Sequence, residues 1–396
     1  MDNLSNNAIG CTSLGDGVPY DTYVAPYQEQ WNLNVQRELG HGTVLTVGYV
    51  GSRGVHLFSQ RNLNPSMTST SAVAGCGTGP LGGVFNGCSH PTGVPCVPTL
   101  ANLSSCVFGA FDSFVGGVEP ILPRVNDNYA ELNENVTGGR SSYNSLQVSL
   151  VRQAAKGITM QFSYTYSHCL DDTSGSYGLE EGATGQLDPY DPLYDYGNCT
   201  FDLRHNLVAN VIYQLPFHGN RLIEGWQVSG IFTAQSGSPF SISDGFDQAG
   251  LDNNVASTRP NVVPGCNPYV RKLTTNPFTH IVEPEWLNPN AGDTCYTLES
   301  PGTLGNAGRN TLVGPRNINL DFALLKNTKI TERLQAQFRA EFFNIANRTD
   351  FIAPNASLYS AAGSADTGTP TPGYGFIDAT VPNSQREIQF AIKLLF

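Results

Sequence analysis

The residues of this chain most able to do chemistry are carboxylates. "DDTSG" pairs Asp171 with Asp172 and "GLEEG" pairs Glu180 with Glu181, and two neighbouring acids can divide the roles of general acid and base. Two oxygen-rich stretches, "LDPYDPLYDYGNC" with Asp188, Asp191 and Asp195 and "SDGFDQAGLDNN" with Asp244, Asp247 and Asp252, carry enough acids for calcium. Neither follows the spacing of a calcium-binding helix-loop-helix loop. The seven histidines keep no regular distance from one another or from a serine. "GTLGNAGRN" is glycine-rich, but it neither follows a strand nor opens a helix, so it does not read as a phosphate loop. Loop acids are commonly solvated, and no catalytic residue, metal or cofactor is assigned. The reading is that no bond is made or broken.

The elements that would position these residues are strands. In "ITMQFSYTYS" Ile158, Met160, Phe162, Tyr164 and Tyr166 alternate with Thr159, Gln161, Ser163, Thr165 and Ser167, a period of two. The same alternation runs through "WNLNVQ", "TVLTVGYV", "NSLQVSLV", "NLVANVIYQL", "GWQVSGIFTAQ", "NINLDFALL", "RLQAQFRAEFF" and the terminal "REIQFAIKLLF", which makes nine strands. Several keep phase for nine residues or more, the length a tilted strand needs to cross hydrocarbon. Their polar faces carry Asn319, Asp321, Gln337, Arg339 and Glu341, which suits a wet lumen. Aromatics gather near strand ends: Tyr213, Phe217 and Trp226 toward one end, Tyr164, Tyr166 and Phe342 toward the other. That is the pattern of two interfacial girdles.

The connections carry a second regularity. "LGHG", "RQAAKG", "PFHGNRLIEG" and "KNTKITE" are short, whereas the alternate links, about residues 52–140, 168–202, 244–312 and 350–384, are long. In an antiparallel sheet this puts every tight turn at one end, as in outer-membrane barrels with short periplasmic turns and long extracellular loops. Phe396 then lies at the periplasmic edge. An all-β, antiparallel, up-and-down transmembrane barrel is expected. Nine is odd where single-chain bacterial barrels are even, so the strands are expected to be part of a larger barrel.

Composition agrees. With 21 basic against 33 acidic residues, a nucleic-acid partner is excluded on charge. No apolar run is long enough for a membrane helix, a test to which barrel strands are blind. All nine cysteines fall in the segments assigned to the outside. Pairing within loops joins Cys169 to Cys199 and Cys266 to Cys295, with two bridges of open connectivity among Cys76, Cys88, Cys96 and Cys106, and leaves Cys11 over.

Several stretches, among them "RSSYNSLQVSLVRQAAKGITMQFSYTYSHCLDD", "FDLRHNLVANVIYQLPF", "GWQVSGIFTAQSGSPFSIS" and "LQAQFRAEFFNIANRTDF", resemble the C-terminal part of TonB-dependent receptors of the Oar-like type abundant in Acidobacteria. The likeness runs from about residue 25 to the end. It implies that residues 1–396 are the last nine or so strands of a 22-stranded barrel. The plug, the N-terminal carboxypeptidase-regulatory-like domain and the TonB box are not visible in them. It further implies outer-membrane lipid, the TonB complex and the barrel-assembly machinery as partners, the last through Phe396 as assembly signal. "FDLRHN", with Asp202, Arg204 and His205, becomes a structural motif of the wall. The function expected is energised uptake of a siderophore, glycan or peptide. A passive porin or structural outer-membrane protein, and a soluble secreted β-protein with a loop-borne site, are the alternatives.

Overall fold

The computed structural model describes residues 12–17, 24–62, 129–155, 157–172, 174, 187–188, 191, 193–246, 257–277, 279–288, 295–299, 303–359, 371, 373–382 and 384–396. Among them there is no helix. Nine strands form one continuous antiparallel path: β1 (Tyr27–Gly40), β2 (Thr43–Asn62), β3 (Tyr129–Ala155), β4 (Ile158–Asp171), β5 (His205–Gln214), β6 (Trp226–Gln235), β7 (Asn317–Lys329), β8 (Gln335–Phe343) and β9 (Glu387–Leu395). Each pairs with its neighbours in chain order, the arrangement that alternating short and long links demand.

Register keeps the apolar phase intact across the sheet. Val35 faces Val47, Val47 faces Val148, Val148 faces Tyr164, and Tyr164 faces Leu207. Leu207 faces Ala234, Ala234 faces Ile318, Phe322 faces Phe342, and Phe338 faces Ile392. A slip of one residue anywhere would throw one strand's apolar side chains onto the polar face, which is why the register is so strongly specified. The tight turn after β1 uses Gly40, His41 and Gly42 at φ 88°, 54° and 68°. Glycine takes that left-handed region without a Cβ penalty, and the turn holds β1 and β2 in register.

The apolar face is not buried. Leu33 is 69% exposed, Val35 64%, Phe390 68% and Ile392 74%, and Leu146, Val211, Leu320 and Phe338 are exposed too. Among the described residues no second layer of sheet covers these side chains, unlike the double-layered arrangement of a β-sandwich. The core lies elsewhere. Ile242, Phe246, Leu287, Cys295, Tyr296, Ala307, Leu312, Leu358, Tyr359 and Tyr374 cluster in the segments after β6 and after β8, beyond the outer ends of the strands. These segments form a cap with its own short pairings: Pro239–Phe240 with Leu312–Val313, Asn261–Val262 with Tyr296–Thr297, and Tyr269–Thr275 with Val282–Leu287.

Strands also run past the sequence expectation. The long link expected from residue 52 to 140 is shorter, because β2 continues to Asn62 and β3 begins at Tyr129, with Asn62 paired to Asn133. Register shifts flank Leu57, marking bulges. Beyond the alternating span the backbone still gains from pairing, but nothing forces one face to stay apolar. Strand therefore persists where alternation has stopped.

Candidate functional site

The polar face of β7, β8 and β9 is a wall of side chains bonded to one another. Asn319 Nδ2 donates to Asp321 Oδ1 at 2.9 Å, and the Asn344 backbone N–H donates to the same carboxylate at 2.8 Å. On the adjoining strands Gln337 Nε2 donates to Asn327 Oδ1 at 2.8 Å, and Arg339 Nε donates to Gln337 Oε1 at 2.9 Å. Arg339 lies 3.9 Å from Glu341, and Gln389 donates to Glu341 at 2.7 Å. All five residues expected on the lumen face thus share one face. Asn319 and Asp321 form one group, while Gln337, Arg339 and Glu341 form a second ladder. The Arg339 guanidinium is 44% exposed, so the pair with Glu341 adds little stability. Its value is a water-accessible row of donors and acceptors. Toward the outer end the wall opens into a cleft of about 440 Å³ lined by Asn319, Asp321, Asn344, Asp350, Ser384 and Glu387.

The described loop carboxylates fasten the cap. Asp171 is 4% exposed and forms an ion pair with Arg309, whose guanidinium also donates to the Ser174 carbonyl at 2.7 Å. Asp172 accepts from the Arg140 backbone N–H at 2.7 Å and from its Nε at 3.2 Å. Asp195 pairs with Arg259 at 2.8 Å, and that guanidinium stacks 4.3 Å from the Tyr194 ring centroid. Burial pushes the Tyr194 hydroxyl up to about 12. Asp188 and Asp191 accept from nearby backbone N–H groups, those of Asp191 and Leu193. Asp202 accepts from the Cys169 N–H at 2.8 Å and meets Arg204 at 3.4 Å, so "FDLRHN" ties the start of β5 to β4. Glu180, Glu181, Asp247 and Asp252 lie outside the described residues. Among the described residues no three His, Cys, Asp or Glu side chains come together to hold a metal ion.

Asp244 and Glu299 do meet, at Thr258. Thr258 Oγ1 lies 3.1 Å from Asp244 Oδ2 and 3.0 Å from Glu299 Oε1, and all three residues are buried. One hydroxyl proton cannot serve two carboxylates at once, so a further proton is favoured. Burial raises the Glu299 carboxyl to about 7, against the opposing pull of its hydrogen bonds with the backbone, Thr258 and Asp244.

Cys169 is joined to Cys199 and Cys266 to Cys295, with Cα separations of 5.4 and 5.1 Å. Cys11, Cys76, Cys88, Cys96 and Cys106 lie outside the described residues. Phe396 follows β9 and is 96% exposed. Sequence reasoning missed Arg309 and Arg259 as the cap's fasteners. The only signal was glycine-rich "GTLGNAGRN", whose Gly305 leaves no room for a Cβ against the Arg259 carbonyl. Its glycine serves close backbone approach, not a phosphate cradle.

The sequence profile of the outer membrane beta barrel domain matches residues 3–389. No curated protein matches the chain. Among solved structures the chain is similar to the outer membrane transporter YddB from Escherichia coli, at 9% identity and a TM-score of 0.44 over 97% of this chain and 34% of that one. It is similar to the pyoverdine outer membrane receptor FpvA from Pseudomonas aeruginosa PAO1, at 10% identity and 0.35 over 93% and 30%. It is similar also to the ferric citrate transporter FecA, at 8% and 0.34 over 93% and 31%. The chain thus spans about a third of the length of these proteins. With an exposed apolar face, a polar opposite face and a profile matched almost from end to end, the chain belongs to the outer membrane β-barrel family, and its place is the cell outer membrane.

Proposed function

We propose that this chain is barrel wall and outer cap of a TonB-dependent receptor of the Oar-like type, which imports a scarce ligand without chemical change. The observation that carries the reading is the bonded polar wall, running from Asn327 through Gln337, Arg339 and Glu341 to Gln389, beside a cleft lined by Asn319 and Asp321. A passage lined by paired donors and acceptors offers a polar cargo replacements for its water at every step. Siderophores, glycans and peptides all have that chemistry. The cap, held by two disulfides and by the Arg309–Asp171 and Arg259–Asp195 pairs, is rigid enough to present a ligand-capturing surface. In this reading TonB acts on a plug within the bore, and no catalytic residue is required.

Cells expressing the protein would be offered labelled ferric siderophores, maltodextrins and peptides, with and without a protonophore. Uptake of at least one class that collapses with the proton gradient is expected. Uptake indifferent to the protonophore, together with steady open-channel conductance in planar bilayers, would establish a passive porin instead.

A further inference from the structure

We infer that the outer rim of the apolar face holds a binding site for the phosphorylated headgroup of an anionic lipid of the outer leaflet. The site is a cavity of about 840 Å³ on the side of the sheet opposite the polar wall. Its floor is a cross-strand row of four residues in the apolar phase, Tyr164 in mid-β4 and Leu207, Ala234 and Ile318 at the outer ends of β5 to β7. Its upper lining is cationic: Arg271, Arg316 and Arg348, with Trp286 among them.

Arg271 is deliberately aimed. It stands at φ 57° where the register of the Tyr269–Thr275 and Val282–Leu287 hairpin shifts between Tyr269 and Lys272, so a bulge turns its side chain. The guanidinium lies 4.3 Å from the Tyr269 ring centroid and 4.9 Å from that of Trp286. Both rings are pinned to the backbone of one residue. Trp286 Nε1 donates to the Val313 carbonyl at 3.0 Å, and the Val313 N–H donates to the Tyr269 hydroxyl at 2.8 Å. Arg348 is partly neutralised by Asp350 at 3.3 Å. Arg271 and Arg316 meet no carboxylate among the described residues. Two uncompensated guanidinium groups in a chain of net charge −12 are a local reversal of sign.

The floor and the lining together specify the occupant. A free phosphate would use the arginines and leave the apolar row unused, and a cargo molecule would travel on the other face. A lipid uses both: acyl chains continue along the apolar face, and the phosphate rises to arginine height, where aromatic side chains also favour the interface. The proposal depends on the outer-membrane location and not on import, so failure of either leaves the other standing.

The test uses the protein extracted from the outer membrane in mild detergent, with bisphosphorylated lipid A as probe and native mass spectrometry of the folded species as readout. The parent protein is expected to retain lipid A and to release its dephosphorylated form. The double variant R271Q/R316Q should bind roughly 30-fold more weakly, on about one kcal/mol per arginine near the surface. The variant K329Q/R333Q, which removes the same charge at the opposite end of the sheet, should bind as the parent does. If the first variant does not fold, R271G, which suits the left-handed backbone, supplies the same comparison. Equal retention by the arginine variants, equal binding of the dephosphorylated lipid, or displacement by inorganic phosphate alone would each overturn the assignment.

Discussion

At the scale of single residues, Asp171, Asp172 and Asp195 are each held by an arginine, and those partners explain why the fastening was not legible. Asp171 pairs with Arg309 across 138 positions and Asp195 with Arg259 across 64, separations that no local pattern encodes. The two disulfides were legible because the cysteines of each lie about 30 residues apart between consecutive long strands, although Cys169 stands in the outer end of β4 and not in the loop the sequence suggested. Each closes about 30 residues of chain and stabilises the cap by roughly 3–4 kcal/mol on the loop-entropy relation. Glu299 adds a pH dependence. Its carboxyl titrates near 7 when folded against 4.5 ordinarily, so the folded cap holds a proton that the unfolded chain releases earlier. The contribution is therefore full below 4.5 and lost as pH rises through about 7. Proteolysis or hydrogen exchange of the cap across that window should show protection declining with rising pH. Glu299→Gln should flatten the decline, and an unchanged profile would remove Glu299 as its source.

At the scale of elements, the nine strands were legible because a lipid environment imposes period two on every span. Their ends were not. The extension of β2 through "GSRGVHLFSQRN" carries no apolar alternation, and only pairing with β3 reveals it. The inner border is marked by Lys326. It sits in the apolar phase, yet its ammonium donates to the Arg221 carbonyl at 2.8 Å and to the Glu224 carbonyl, and lies 5.5 Å from the Trp226 ring. A charged end that reaches turn carbonyls while its stem lies along an apolar face is snorkelling behaviour. Mid-strand there are no such carbonyls to reach. Phe322→Arg, midway between Ile318 and Lys326, should then cost about 2–4 kcal/mol in urea unfolding from lipid, whereas Gln337→Arg on the wall should cost far less. Equal costs would mean that the two faces do not differ in surroundings.

At the scale of the whole molecule, hydrophobic burial is distributed opposite to a soluble protein's. The tight core is in the cap, and the sheet carries a broad exposed apolar face, Leu33, Val35, Leu146, Val211, Phe338, Phe390 and Ile392 among it. In water such a surface would drive association. In the outer membrane the acyl chains cover it. Among the described residues β1 and β9 each pair along one edge, and in lipid the other edges also need partners. The direct measurement is a matched pair of tryptophan substitutions on β8, Phe338→Trp and Gln337→Trp, each read as a fluorescence difference from the parent in membranes containing lipids brominated on the acyl chain. The account predicts strong quenching by the brominated chains at 338 and none at 337, with aqueous iodide quenching 337 instead. A tryptophan at 338 shielded from both quenchers, or both positions answering to iodide alone, would contradict it.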